Sequence, residues 1–223
     1  GCQDFDKNSA VSFPVNIELK TATSGDILVE STTGSIEFKG ASKLTSLGGD
    51  ATVKSKNGAC DVKSKEIVVT AAAAGKKVLL KARTWTAKSG KIDVDGHTEA
   101  NIDTSLTTET SGAIVIKSAT KCEFNDGKTF TSVDTFTASC GAIASGANTV
   151  VAENAVTVTG AWSGKGDGSN INLKSTTKGI TLNSDIDTDG TLTATCTTST
   201  NGKLTLAGAG TRSLEAEKKL TIN

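Results

Sequence analysis

A short unit recurs along this chain: a turn residue, a glycine, then apolar and polar residues in alternation. It reads SGDILVES at 24–31, TGSIEFKG at 33–40, GGDATVKS at 48–55 and NGACDVKS at 57–64. It returns as SGKIDVDG at 89–96, SGAIVIKS at 111–118, KGITLNS at 178–184 and NGKLTLAG at 201–208. Glycine supplies a corner conformation closed to other residues, and alternation turns every second side chain inward. Each unit is therefore one turn plus one short strand. Gly25 to Gly34 and Gly49 to Gly58 each step nine residues, and Gly25 to Gly49 steps twenty-four. Two or three such strands close a coil of about 20–25 residues, within the range of solenoid repeats. The expected fold is all-β, a parallel β-helix (β-solenoid) of roughly ten short coils spanning 24–223. At about 4.8 Å per coil it would be roughly 45–50 Å long. A β-sandwich is the runner-up, since hairpins also string short strands between turns. Near-identical neighbours such as ATVKSKNGACDVKSK favour coils, where like stacks on like.

Composition agrees with a narrow core. Aromatics are 4% of the 223 residues, Met and Tyr are absent, and there is one Pro. A thick globular core draws more on large rings than this. Lys+Arg 24 balances Asp+Glu 24, and Arg83 and Arg212 are the sole arginines. That balance points away from nucleic acid, whose readers favour arginine. The apolar run at 67–74 is too short to span a bilayer, so no transmembrane segment is expected. Residues 1–23 read as a polar N-terminal arm and entry strand. Residues 119–170 depart most from the repeat and read as a longer excursion bearing Phe124, Phe130, Phe136 and Trp162.

GSIEFKG, GAIVIKS, GKLTLAG and the closing EAEKKLTI resemble the repeats of filamentous-haemagglutinin-type adhesins and the β-helical adhesin domains of bacteria. The resemblance covers most of 24–223. It implies a secreted or cell-surface protein with an adhesive or scaffolding role, and it carries over no catalytic residue. The five cysteines depart from the pattern, because such adhesins are usually cysteine-poor.

Candidate sites are few. SDIDTDGTLT at 184–193 sets Asp185, Asp187 and Asp189 at positions 1, 3 and 5 of a calcium-type loop, with Gly190 at 6. Position 12, where a bidentate Glu belongs, is Cys196. Asp and Gly are equally ordinary turn residues, and similar partial patterns at Asp93–Asp95 and Asp4–Asp6 favour the turn. Calcium is the one cofactor candidate. Threonine rows such as Thr84-Trp-Thr86, Thr129-Phe-Thr131, Thr157-Val-Thr159 and Thr191 to Thr197 resemble the ice-binding face of insect β-helical antifreeze proteins. Their irregular spacing along the chain argues against a regular array, and threonine is favoured on any exposed strand. The lone His97 has no recognisable nucleophile beside it, so no catalytic triad is indicated and the chain reads as a non-enzyme. GKGDGSN at 164–170 lacks the Lys-Ser/Thr and helix of a phosphate cradle.

Leu220 and Ile222 lie in an apparent strand at the end of the sequence, with no helical cap or charge guard. An open last coil exposes unpaired backbone groups. The expected partner is therefore a second copy, stacked head to tail into a filament, with Cys2 as a disulfide candidate at the joint. The alternative is a monomeric binding module for a surface glycan, another surface or ice.

Overall fold

The computed structural model describes residues 3–7, 10–13, 15–21, 25–55, 60–62, 66–166, 168–198, 202–208 and 212–223; for 3–7, 61, 62 and 66 it describes the backbone alone. The fold is the expected parallel β-solenoid. The chain winds past three parallel ladders, meeting each once per coil. The first runs through Gln3–Lys7, Ile27–Ser31, Ala51–Ser55, 77–81, 99–102, 121–124, 142–145, 161–164, Ile186–Thr188 and Leu214–Ala216. The second runs through Val11–Phe13, Ile36–Phe38, Cys60–Val62, 85–87, 106–108, Lys128–Ser132, Asn148–Ala152, Ile171–Ser175, Thr191–Cys196 and Lys219–Ile222. The third runs from Ile17–Lys20 and Ser42–Ser46 through Glu66–Ala71, Lys91–Gly96, 114–118, 136–139, 156–158 and Gly179–Leu182 to Lys203–Leu206.

Coil length varies while register within each ladder holds. Phe136 to its partner Val156 is a coil of 20 residues. Leu192 to Leu220 is one of 28. The extra residues are taken up at corners, as where register shifts between Lys81 and Thr84 and between Ser118 and Lys121. Alternation decides burial: Lys91–Gly96 alternates half-buried and buried along its length, and Glu99–Thr108 does the same.

The inward residues form one column-like core. Phe124 meets Phe130 edge-on at 5.0 Å and Trp162 at 5.6 Å, and Phe130 lies 5.6 Å from Phe136. All four rings are buried, so the aromatics of 119–170 fill the core. In place of the longer excursion expected there, the described strands of this stretch pair in register with those of neighbouring coils. The irregular sequence reflects larger inward side chains and shorter corners. The N-terminal arm is also revised. Gln3–Lys7 pairs along its length with Ile27–Ser31, so it is already a strand of the first coil.

Corners would bury backbone groups without partners, at about 1–3 kcal/mol each. Inward Ser and Thr hydroxyls at strand ends meet them. Ser46 Oγ donates to Gly25 O (2.9 Å) and accepts from Gly49 N–H (2.9 Å). Thr108 Oγ1 donates to Gly112 O (2.9 Å) and accepts from Val133 N–H (3.1 Å). Ser132 Oγ lies 2.9 Å from Thr135 O and 3.1 Å from Gly112 O, and it accepts from Asp134 N–H (3.2 Å). The Cys122–Cys140 disulfide ties successive coils near another corner, with Cα atoms 5.8 Å apart.

Gly112 shows why the corner residue is glycine. Its φ is +110°, and a Cβ there would sit 2.0 Å from Gly90 O of the preceding coil. Gly112→Ala should cost about 1–3 kcal/mol through backbone strain and overpacking, read as a lower urea midpoint at unchanged slope.

Candidate functional site

The three aspartates of 184–193 have separate partners. Asp185 Oδ1 accepts from Ser213 N–H in the next coil (2.9 Å). This is a recurring corner device. Asp26 accepts from Asp50 N–H (2.8 Å), Asp50 from Lys77 N–H (2.8 Å), Asp126 from Ala147 N–H (2.7 Å) and Asn170 from Thr191 N–H (2.8 Å). Asp187 and Asp189 share Lys165, at 3.0 and 3.4 Å. Asp189 also accepts from Gly166 N–H (2.9 Å), so the glycine-rich loop turns that donor onto a carboxylate of its own chain. The Gly166 N–H, and then Lys165, hold the Asp189 carboxyl below its ordinary range. The hydrogen bonds to Asp187 and Asp189 raise Lys165 in turn. The fold thus does not gather these aspartates into one donor set. Among the described residues no group of three His, Cys, Asp or Glu side chains could hold a metal ion.

Charge concentrates on the outside of the first ladder. Glu30 and Lys54 are register partners bridged at 2.7 Å, as are Lys77 and Glu99 at 2.6 Å. Asp103 lies between Lys81 (2.8 Å) and Lys128 (3.0 Å). Burial pushes its pKa up, but hydrogen bonds from Lys81, Lys128 and Asn125 outweigh that and hold it at about 2.

The second ladder is different. Its outward positions form two columns that the linear sequence hides. In one column Thr84 pairs with Ser105; farther on, Thr129 pairs with Thr149, Thr149 with Asn172, and Asn172 with Thr193. In the other, Thr86 pairs with Thr107 and Thr107 with Thr131, followed by Val151, Lys174 and Thr195. The irregular spacing expected to forbid an array reflects the variation in coil length and, for Thr157 and Thr159, a place on the third ladder. A column of four threonines runs on the third ladder through Thr137, Thr157, Thr181 and Thr205. Beside it Asn183 Nδ2 donates to Thr159 Oγ1 at 3.0 Å. Ser105, Thr107, Thr149 and Asn172 escape a search for Thr-x-Thr. A detectable signal, a pair of small polar residues flanking one buried apolar residue, is present around Leu106; Thr149 and Asn172 lack it, because Val151 and Lys174 stand on the other side of Val150 and Leu173.

At the last coil, inward positions lie open. Leu206, Leu220 and Ile222 are 45%, 44% and 53% exposed, whereas Leu192, the register partner of Leu220, is 1% exposed. Beside them Asp187, Asp189, Glu215 and Glu217 line a shallow cleft of about 570 Å³ with Leu214 and Leu220. His97 is exposed; its N–H donates to Ala71 O (2.9 Å) and its carbonyl accepts from Ala119 N–H (3.1 Å). Cys60 is buried and Cys196 half-buried, while Cys2 lies outside the described residues. Among the described residues no helix is long and apolar enough to cross a membrane. The chain matches no protein-family model, no curated protein and no solved structure.

Two measurements check these assignments. Asp185→Ala should lower stability by about 1 kcal/mol, the worth of one hydrogen bond, and by the same amount with calcium or with chelator. A calcium-dependent difference in melting would mark a metal site instead. For Asp103 the folded pKa is depressed, so its contribution is complete above the ordinary carboxylate value of 3.8 and is lost as pH falls toward about 2. The stability gap between wild type and Asp103→Asn should therefore be constant near neutrality and close over that acid window, as followed by denaturation midpoints.

Proposed function

We propose that this chain is a non-catalytic structural protein of the cell exterior, either the body of a surface adhesin or a filament subunit whose coils continue from one copy to the next. The observation that carries this reading is the open apolar edge at Leu206, Leu220 and Ile222. Those side chains occupy core positions, and among the described residues the strand that holds two of them has one lateral neighbour. A further parallel coil would satisfy both needs at once, by burying the apolar groups and pairing the edge. The first coil of a second copy has the matching geometry, because among the described residues Val11–Phe13 and Ile17–Lys20 each pair on one side. A contact of last coil on first coil is heterologous, so it propagates as an open filament.

The resemblance to bacterial β-helical adhesins agrees with this reading, and the charge-paired first ladder suits a body that stays solvated along its sides. A second reading, a binding module, is favoured by the hydroxyl columns of the second ladder. An exposed aromatic platform for sugar rings is not among the described features, since Trp85, Trp162 and the described Phe side chains are buried. Electron microscopy and sedimentation velocity of the 223-residue chain test the first reading. Concentration-dependent rods should form, and the double variant Leu220→Lys/Ile222→Lys should return them to single solenoids of unchanged fold. A wild-type chain that stays a monomer at all concentrations would exclude stacking.

A further inference from the structure

We propose that the hydroxyl face of the second ladder binds a flat, neutral, repeating hydrogen-bonding lattice, and that this lattice is ice. The inference deepens the binding-module reading and does not depend on coil stacking.

Geometry supplies the first argument. Successive outward residues on a strand lie about 6.6 Å apart, and successive coils about 4.8 Å apart. The columns through Thr84 and Thr86 therefore make a rectangular array of hydroxyl and methyl groups, held in register by the ladder. The hydroxyls of Thr84, Thr86, Thr107 and Thr131 make no hydrogen bond within the described chain, whereas the corner hydroxyls of Ser46, Thr108 and Ser132 are all engaged.

Rigidity supplies the second, which is independent of the first. Directly beneath the face, between the two columns, stand Trp85, Leu106, Phe130 and Val150, each 0% exposed. Phe130 is locked by Phe124 on one side and Phe136 on the other. Threonine is itself stiff at χ1. A planar, preorganised array loses little entropy on contact, so many weak contacts can sum.

The chemistry of the partner follows. The array repeats from coil to coil, so a small solute touches few of its groups, whereas an extended, periodic solid touches many. Over four coils, from Thr84 to Thr149 and from Thr86 to Val151, neither column contains a charge; in the second column Asp61 and Glu37 precede Thr86 and Lys174 follows Val151, so the uncharged patch is bounded by charge at both ends. That neutrality disfavours mineral and anionic membrane surfaces. Crystalline polysaccharide calls for exposed rings, and the described tryptophans are internal. Hexagonal ice, which is neutral, planar and built from hydroxyl-like donors and acceptors, fits the remaining requirements. The third ladder stacks four threonines, Thr137, Thr157, Thr181 and Thr205, but beside them Thr159 is already bonded by Asn183.

The test uses the full chain with a fluorescent label, offered to a growing single-crystal ice hemisphere and scored for inhibition of recrystallisation. Adsorption to ice is expected. Thr107→Lys/Thr131→Lys places charge at the centre of the face and should cut adsorption at least about tenfold, as loss of a central contact does at other interfaces. Lys174 already occupies that column, so lysine there is compatible with the fold. Thr157→Lys on the third ladder should leave adsorption unchanged. Leu220→Lys/Ile222→Lys should also retain it, which separates this proposal from coil stacking. Absence of wild-type adsorption overturns the proposal. So does retention on crystalline cellulose or chitin without ice affinity, or an equal loss in Thr157→Lys.

Discussion

Each coil of this protein is held by backbone hydrogen bonds to the coils above and below, in parallel and in register. No coil can bury its apolar side alone, so a residue's surroundings are set mainly by its counterparts one coil away. Register forces like onto like. Ile36 stacks on Cys60 and then Trp85 on the inside, while Glu30 faces Lys54 and Thr107 faces Thr131 on the outside. Cross-strand pairs of this kind contribute about 0.2–1 kcal/mol each, and a solenoid repeats them at every step.

Corners are where this arrangement is most exposed to failure, because the chain turns there with its polar backbone close to the core. Two side-chain devices resolve it. Inward Ser and Thr hydroxyls satisfy turn amides and carbonyls from below, as Ser46 and Ser132 do. Asp and Asn side chains at the corners accept amides from the next coil, as Asp26, Asp50 and Asp185 do. With the corners satisfied, their length is free to vary, and coils of 20 and 28 residues stack in one molecule. The disulfide between Cys122 and Cys140 adds a covalent tie beside a corner where register shifts.

Function in such a body belongs to faces and ends. The ladders differ in what they show to solvent: paired charge on the first, a hydroxyl patch uncharged over four coils on the second, a column of four threonines on the third. The last coil offers apolar side chains and a strand edge. Coil-end stacking and lattice binding use different surfaces, so one molecule could carry both without conflict.

Much of this was legible in the linear chain. The glycine-led alternating units specified parallel coils, because glycine at a corner and period-two burial are local properties. The corner role of Asp185 and Asp189 was legible for the same reason, whereas the turn expected at Asp93–Asp95 and Asp4–Asp6 was not found: both pairs lie within strands, Lys91–Gly96 and Gln3–Lys7. The partner of each corner aspartate was not legible, since Asp185 reaches Ser213 and Asp189 reaches Gly166 across a coil boundary. The aromatics of 119–170 read as an excursion because their spacing departs from the repeat, yet they stack on one another inside the core. The threonine columns show the division most clearly. Along the chain, Thr84, Ser105, Thr129 and Thr149 look unevenly scattered; in the solenoid they stand on one face. Sequence alone determined that these side chains point outward, because alternation is local. Only the tertiary structure decided that they align, because register is set by the variable corners that bring each strand back beneath the last.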